Sequence, residues 1–217
     1  MSASLAGRRL LVSAGPTYED IDPVRFLGNR SSGKMGFAIA AEAAAMGAQV
    51  TLVAGPVELA TPAGVHRVDV RSAVQMREAV LTALPGQDVY VGAAAIADYM
   101  PAQVQPQKIK KGADSLQLQL VRTPDVLAEV ARHAARPRVV VGFAAETREL
   151  EENALAKLRD KQLDLIAGND VSAPGLGFGS DENALQVYSA SGRLDIPRGP
   201  KPVVARALLD LIAKSLA

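Results

Sequence analysis

The sequence predicts a doubly wound α/β fold built on a mainly parallel sheet, and three observations carry that reading. Short apolar runs alternate with amphipathic stretches along the chain. Several runs are rich in valine and apolar on both faces, as strands covered by helices on either side must be. Helix start and stop residues sit at the boundaries between them. The expected architecture is Rossmann-like, with an accessory antiparallel β element.

The predicted strands are, in order, Leu10–Val12, Val50–Val53, Val65–Val68, Val89–Val91, Val139–Val141 and Leu163–Ile166. The predicted helices are Lys34–Met46, Ser72–Leu84, Pro124–His133, Arg148–Lys161 and Val203–Leu216. Gly47 follows the first helix where a left-handed cap is expected, and Ser72 with Gln75 forms a capping-box pattern. Thr123-Pro124-Asp125 reads as an N-cap, a first-turn proline and an acid at the positive helix end.

Two regions interrupt the rhythm. Pro101–Val121 carries prolines, the basic Lys108-Ile109-Lys110-Lys111 and the alternating Leu116-Gln117-Leu118-Gln119-Leu120, so a loop followed by a one-faced strand is expected. Pro174–Arg198 is glycine-rich and offers Ala184–Tyr188 and Leu194–Ile196 as antiparallel strands. Together they are read as one accessory β element and a candidate oligomer interface.

At 217 residues the chain fits one full α/β core, taken as a single domain over 1–217. Apolar residues make up 48 % and charged residues 22 %, the balance of a soluble, folded protein. A net charge of +1 gives no global field for nucleic acid. The chain has no cysteine, which excludes thiolate chemistry, and His66 and His133 lie far apart without ligand spacing, so no protein metal cage is expected. No apolar run is long enough to span a membrane, and a cytoplasmic location is expected.

The most informative stretch runs from Ser13-Ala14-Gly15-Pro16-Thr17 through Asp22-Pro23-Val24-Arg25 to Asn29-Arg30-Ser31-Ser32-Gly33-Lys34-Met35-Gly36. It joins a strand end, a polar loop and a Ser/Gly-rich helix start, an arrangement that aims free helix amides at an anion. Gly28 to Lys34 fits Gly-x-x-x-x-Gly-Lys, but Met35 stands where a P-loop needs Ser or Thr, so a Walker-type NTPase is not expected. The Gly-x-Gly-x-x-Gly fingerprint is also absent after the first strand.

Ligands of such sheets bind beyond the carboxyl ends of the strands, which directs attention to Ala93–Asp98, Phe143–Thr147 and Asn169–Ser172 as well. Lys108, Lys110 and Lys111 either neutralise a polyphosphate or form a solvated loop guarding a strand edge. Lys157 and Lys161, an i, i+4 pair on one helical face, either are ordinary surface charge or flank an anion that relieves their repulsion. Asn29 either shapes a turn or orients a carbonyl or phosphate oxygen. Asp98 either accepts from a ribose hydroxyl or caps the next segment, and Phe143 either fills the core or contacts a base.

Taken together, these motifs resemble the bacterial phosphopantothenoylcysteine synthetase family. The matching residues are the three stretches above with Ala94-Ala95-Ile96-Ala97-Asp98-Tyr99, Lys108-Ile109-Lys110-Lys111, Gly142-Phe143-Ala144-Ala145-Glu146-Thr147 and Asn169-Asp170-Val171. They occur in the family's order over nearly the whole chain. The resemblance implies a CTP-dependent ligase joining 4′-phosphopantothenate to L-cysteine through an acyl-cytidylate, with magnesium accompanying the triphosphate. It implies that Asn29 and Lys108 are catalytic, Lys108 neutralising the triphosphate. It assigns the nucleotide to Gly92, Ala93, Ala94, Asp98, Pro124, Asp125, Val126, Leu127, Phe143, Lys157 and Lys161.

The resemblance further implies a homodimer paired through the accessory β element, with Arg25 reaching toward substrate phosphate. Family members often follow a flavin-dependent decarboxylase domain, and none precedes Leu10, so a stand-alone synthetase or an excised half is expected. Arg30 stands where other members carry histidine, which argues against an acid–base role there. The rival readings are an NAD(P)-dependent oxidoreductase and a non-catalytic nucleotide-sensing module.

Overall fold

The computed structural model describes residues 4–112, 115–146, 150–170 and 179–216. In chain order its first elements are β1 (Arg9–Ala14), β2 (Tyr18–Asp20), β3 (Phe26–Gly28), α1 (Lys34–Ala45), β4 (Gln49–Ala54), β5 (Val65–Asp69), α2 (Ala73–Ala83) and β6 (Val89–Gly92). There follow β7 (Tyr99–Pro101), β8 (Leu120–Arg122), α3 (Val126–Arg132), β9 (Val139–Glu146), α4 (Leu150–Asp160), β10 (Leu165–Asp170), β11 (Glu182–Ser189), β12 (Gly192–Pro200) and α5 (Lys201–Ser215).

An eight-stranded sheet runs β12-β11-β10-β9-β6-β1-β4-β5. The strands from β10 to β5 pair in parallel. From β1 the chain moves outward through β4 to β5, then returns to the other side of β1 with β6 and continues to β9 and β10. The direction of winding therefore reverses between β1 and β6, which opens a crevice beyond their carboxyl ends. Side-chain alternation explains why both faces are covered. Leu10, Val12, Val89, Val91, Val139 and Val141 join one core with Phe37 and Ile39 of α1 and Leu208 and Ile212 of α5. Leu11, Tyr90 and Val140 point the other way, toward Met76, Val130 and Leu158 of α2, α3 and α4. The doubly wound expectation holds.

The accessory element is corrected. Pro101–Val121 and Pro174–Arg198 do not form one unit: β11 and β12 pair antiparallel with each other and extend the main sheet beside β10. Of the expected strand over Leu116–Leu120, Leu120 alone falls in a strand, at the start of β8, which among the described residues pairs with the three-residue β7. Alternation supplied an apolar face, but a strand also needs a partner edge, and β7 stops at Pro101. Residues 171–178 lie outside the described residues.

Caps were partly legible. Ser72 and Gln75 form the complete capping box, and Gly47 has φ +88° as expected of a left-handed cap. The start of α3 is displaced: Asp125, not Thr123, is the N-cap, accepting the Ala128 N–H at 3.1 Å. Thr123 is diverted because its hydroxyl donates to the Ala97 carbonyl at 2.6 Å. The last helix starts at Lys201 rather than Val203, with proline in its first turn. Among the described residues no helix is long and apolar enough to cross a membrane.

The first turn of α1 lies directly on the end of β1, since a Cβ at Gly36 would stand 2.5 Å from the Ala14 Cβ. Gly36→Ala should destabilise the fold by about 1–3 kcal/mol through overpacking, despite a helix-propensity gain of up to about 1 kcal/mol. Urea denaturation measures the difference.

Candidate active site

The crevice between β1 and β6 leads into two chambers of about 560 and 550 Å³. They share a wall made by Ala94, Ile96, Asp98, Phe143 and Lys157, so they form one divided cleft. The wall is largely the loop after β6, and hydrogen bonds fix it on both sides. Ala93 N–H donates to the Ser13 carbonyl at 3.0 Å and Ala95 N–H to the Gly15 carbonyl at 2.9 Å. Ala97 N–H donates to the hydroxyl of fully buried Thr17 at 3.0 Å. On the far side, Thr123 N–H donates to the Asp98 carbonyl at 3.0 Å.

The first chamber takes its floor from Gly92 and Leu127 and its rim from Asp98, Pro124, Asp125, Lys157 and Lys161, with Val126 behind. Gly92 and Gly142 are register partners on β6 and β9. Side chains there would meet Leu127, so the two glycines let α3 approach the sheet. Lys161 donates to Asp125 at 2.9 Å. Burial raises the Asp125 carboxyl, but hydrogen bonds from Lys161 and the Ala128 N–H, with the charges of Lys161 and Lys157, outweigh it and hold it below the ordinary value.

The second chamber is bounded by Asn29 to Gly36, Ala93, Asn183 and Lys201. Gly33, with φ 72°, turns the chain into α1. Asn29 is anchored from within the site, its Nδ2 donating to the Ile96 carbonyl at 2.9 Å. The side chain thus ties the loop to the chamber wall, and Asn29 lines the cavity. Lys34 donates to the Gly179 carbonyl at 3.0 Å and to Asp181 at 2.7 Å. Buried Lys201 donates to the carbonyls of Ser180 and Glu182. Its ammonium is pushed below the ordinary lysine value by burial and then by the charge of Lys34, with Asp181 opposing. The chamber is cationic at the start of a helix, which suits an anionic group.

All the residues expected at the nucleotide line this divided cleft except Lys108. Lys108 is exposed and belongs to the lining of neither chamber. Arg25 is directed to Asp22 and to the Ile109 carbonyl rather than into the cleft. Sequence reasoning missed Asn183, whose strand was read as accessory, and Lys201, which stood just before the expected start of the last helix. It also missed the buried hydroxyl pair of Ser13 and Tyr90, 2.9 Å apart, on the floor of the first chamber. Burial first of all lifts the Tyr90 phenol to about 12, so it stays protonated. A hydroxyl on an apolar strand was the available signal. Among the described residues no group of three His, Asp or Glu side chains is arranged to hold a metal. Lys157 and Lys161 line the first chamber and Lys34, Lys157 and Lys201 the second, a donor set that suits an anionic group rather than a bare cation.

The family described as DNA/pantothenate metabolism flavoprotein C-terminal domain matches residues 5–216. The chain belongs to this family. Among its relatives, the coenzyme A biosynthesis bifunctional protein CoaBC of Escherichia coli K12 is 50 % identical over 206 residues, 94 % of this chain and 51 % of that protein. CoaBC of Vibrio cholerae is 46 % identical over 214 residues, 98 % of this chain and 54 % of that protein. The family member described here thus spans about half the length of the curated relatives it matches. The crystal structure of the C-terminal domain of a CoaBC protein superposes with a TM-score of 0.83 at 40 % identity, covering 98 % of this chain and 97 % of that one. A Streptococcus pneumoniae flavoprotein of the same description, at 21 % identity, shares the fold with a TM-score of 0.80 over 95 % of this chain and 98 % of that one.

The sign of the Asp125 effect follows from its lowered value. Its ionised form stabilises the native state fully above the unfolded value near 3.8, and this contribution disappears as pH falls through the lower native value. Asp125→Asn, which retains a capping oxygen, should therefore be less stable than the parent at pH 7, with the gap closing below about pH 4. Thermal melts across that range test it.

Proposed function

We propose that this chain is a CTP-dependent phosphopantothenate–cysteine ligase acting in coenzyme A biosynthesis. The observation that carries the reading is the divided cleft: Gly92, Pro124, Asp125, Val126, Leu127 and Lys161 line one chamber, the Asn29 loop lines the other, and Ala94, Asp98, Phe143 and Lys157 belong to both. An acyl-transfer ligase needs two substrates held so that a carboxylate meets an α-phosphate, and adjacent chambers provide that proximity. The names of the relatives, coenzyme A biosynthesis proteins, support the same pathway.

In this reading CTP occupies the first chamber, with Asp98 accepting from the ribose, Phe143 against the base, and Lys157 and Lys161 on the phosphates. The 4′-phosphopantothenate carboxylate attacks the α-phosphorus from the second chamber. An O–P bond forms and pyrophosphate leaves, giving an acyl-cytidylate. The cysteine amine then attacks the acyl carbon, the C–O bond to the cytidylate breaks, and CMP departs as the amide forms. Asn29 holds the acyl or phosphoryl oxygen through its amide, and Lys108 neutralises charge on the triphosphate. Lys34 and Lys201 give the second chamber the charge to hold the pantothenate phosphate. Magnesium bound to the triphosphate would supply further shielding of its charge.

The protein acts as a homodimer in the cytoplasm, with a flavin-dependent decarboxylase domain or chain consuming the product. The dimer seam is the β7–β8 ribbon and the residues leading into it, where Tyr99, Leu118, Leu120 and Val121 are exposed apolar side chains and β7 lies beside β2. Such a patch on a small domain marks an interface.

Pyrophosphate release should require 4′-phosphopantothenate and CTP together, and amide formation should further require cysteine. Asn29→Asp and Lys108→Gln should each lower the rate by about 10²–10³-fold. No release with any nucleotide, or an absorbance change with nicotinamide cofactors instead, would overturn the reading. Sedimentation should give a dimer that Leu120→Glu converts to monomer.

A further inference from the structure

The lysine-bearing segment has no regular structure of its own, because residues 102–112 form neither helix nor strand. The turn between β2 and β3 holds it. Gln105 N–H donates to the Ile21 carbonyl at 2.9 Å. Asp22, only 1 % exposed, accepts the N–H groups of Val24 and Arg25 through Oδ1 at 2.8 and 2.9 Å, which folds the turn. Its Oδ2 accepts the Ile109 N–H at 3.1 Å. Arg25 Nε lies 3.3 Å from the same oxygen, and Arg25 Nη2 donates to the Ile109 carbonyl at 2.6 Å. One ion pair thus grips both backbone groups of Ile109.

The covalent chain makes this grip relevant to the cleft. Ile109 lies between Lys108 and Lys110, and β3 leads from Arg25 directly to Asn29. Burial alone would raise the Asp22 carboxyl, but the three N–H donors and the Arg25 charge outweigh it and keep it below the ordinary carboxylate value. A buried, ionised carboxylate is costly to leave unpaired, so the segment and the turn hold each other.

We infer that Asp22 is a positioning residue for Lys108: with Arg25 it fixes the Ile109 backbone and so sets where the lysine segment stands relative to Asn29. The part of this inference that concerns catalysis rests on the ligase reading, while the clamp rests on geometry.

Asp22→Asn leaves one acceptor oxygen where two are used. Tryptic cleavage after Lys108, Lys110 and Lys111, followed by mass spectrometry on folded protein, should be about tenfold faster in Asp22→Asn and in Arg25→Gln. Cleavage at the parental rate in both variants overturns the clamp. In the pyrophosphate assay, Asp22→Asn should cost about 10–100-fold in kcat in the parent but less than about threefold in the Lys108→Gln background. Equal losses in both backgrounds would mean that Asp22 does not act through Lys108. Should Asp22→Asn fail to fold, Arg25→Gln, altered at a half-exposed side chain, carries both arms. Should the parent release no pyrophosphate, the ligase reading fails and proteolysis alone decides the clamp.

Discussion

The cleft depends on a ladder of hydrogen bonds that continues the β1–β6 pairing beyond the strands themselves. Ser13 is in register with Gly92. Past that pair, Ala93, Ala95 and Ala97 give their N–H groups to Ser13, Gly15 and Thr17. Pro16 and Ala95 form an isolated parallel bridge within the same run. Alternate residues are thus tied to the loop after β1, while Ala94 and Ile96 between them line both chambers. A wall built this way is rigid before any ligand arrives, which is what positioning of two substrates requires.

Other groups are organised around that wall. Asn29 is held by the Ile96 carbonyl and Thr123 by the Ala97 carbonyl, so the Asn29 loop and the run into α3 take their places from the same few peptide units. The cationic residues arrive from elsewhere: Lys157 and Lys161 from the end of α4, Lys34 from α1 and Lys201 from α5. Most are engaged with carboxylates or carbonyls, as with Lys161 on Asp125 and Lys34 on Asp181. Such partners hold the ammonium groups in place while keeping like charges tolerable.

The glycines explain why the site is small-residue rich. Gly92 and Gly142 admit Leu127, and Gly36 admits the β1 backbone, so helices that would otherwise stand off the sheet close over it. The same closeness makes these positions sensitive, because close-packed interiors have little room to relax.

The winding of the sheet, the helices over it and the position of the cleft were legible in the sequence, since valine alternation, caps and the run from Ser13 to Gly36 are local signals. That Asn29, Asp98, Phe143, Lys157 and Lys161 line the cleft came from the resemblance of whole motifs, since each side chain by itself also fitted a turn, cap, core or surface role. What the tertiary structure alone decided was pairing across distance. Leu116–Leu120 reads as a strand until it lacks an edge, and β11 and β12 read as accessory until they are found on the main sheet. Asp22 and Arg25 grip Ile109 from 87 and 84 positions away, and Asn183 reaches Met35 across 148. Local propensity carries no information about such contacts; they exist because hydrogen-bonding groups removed from water must find partners wherever the fold brings them.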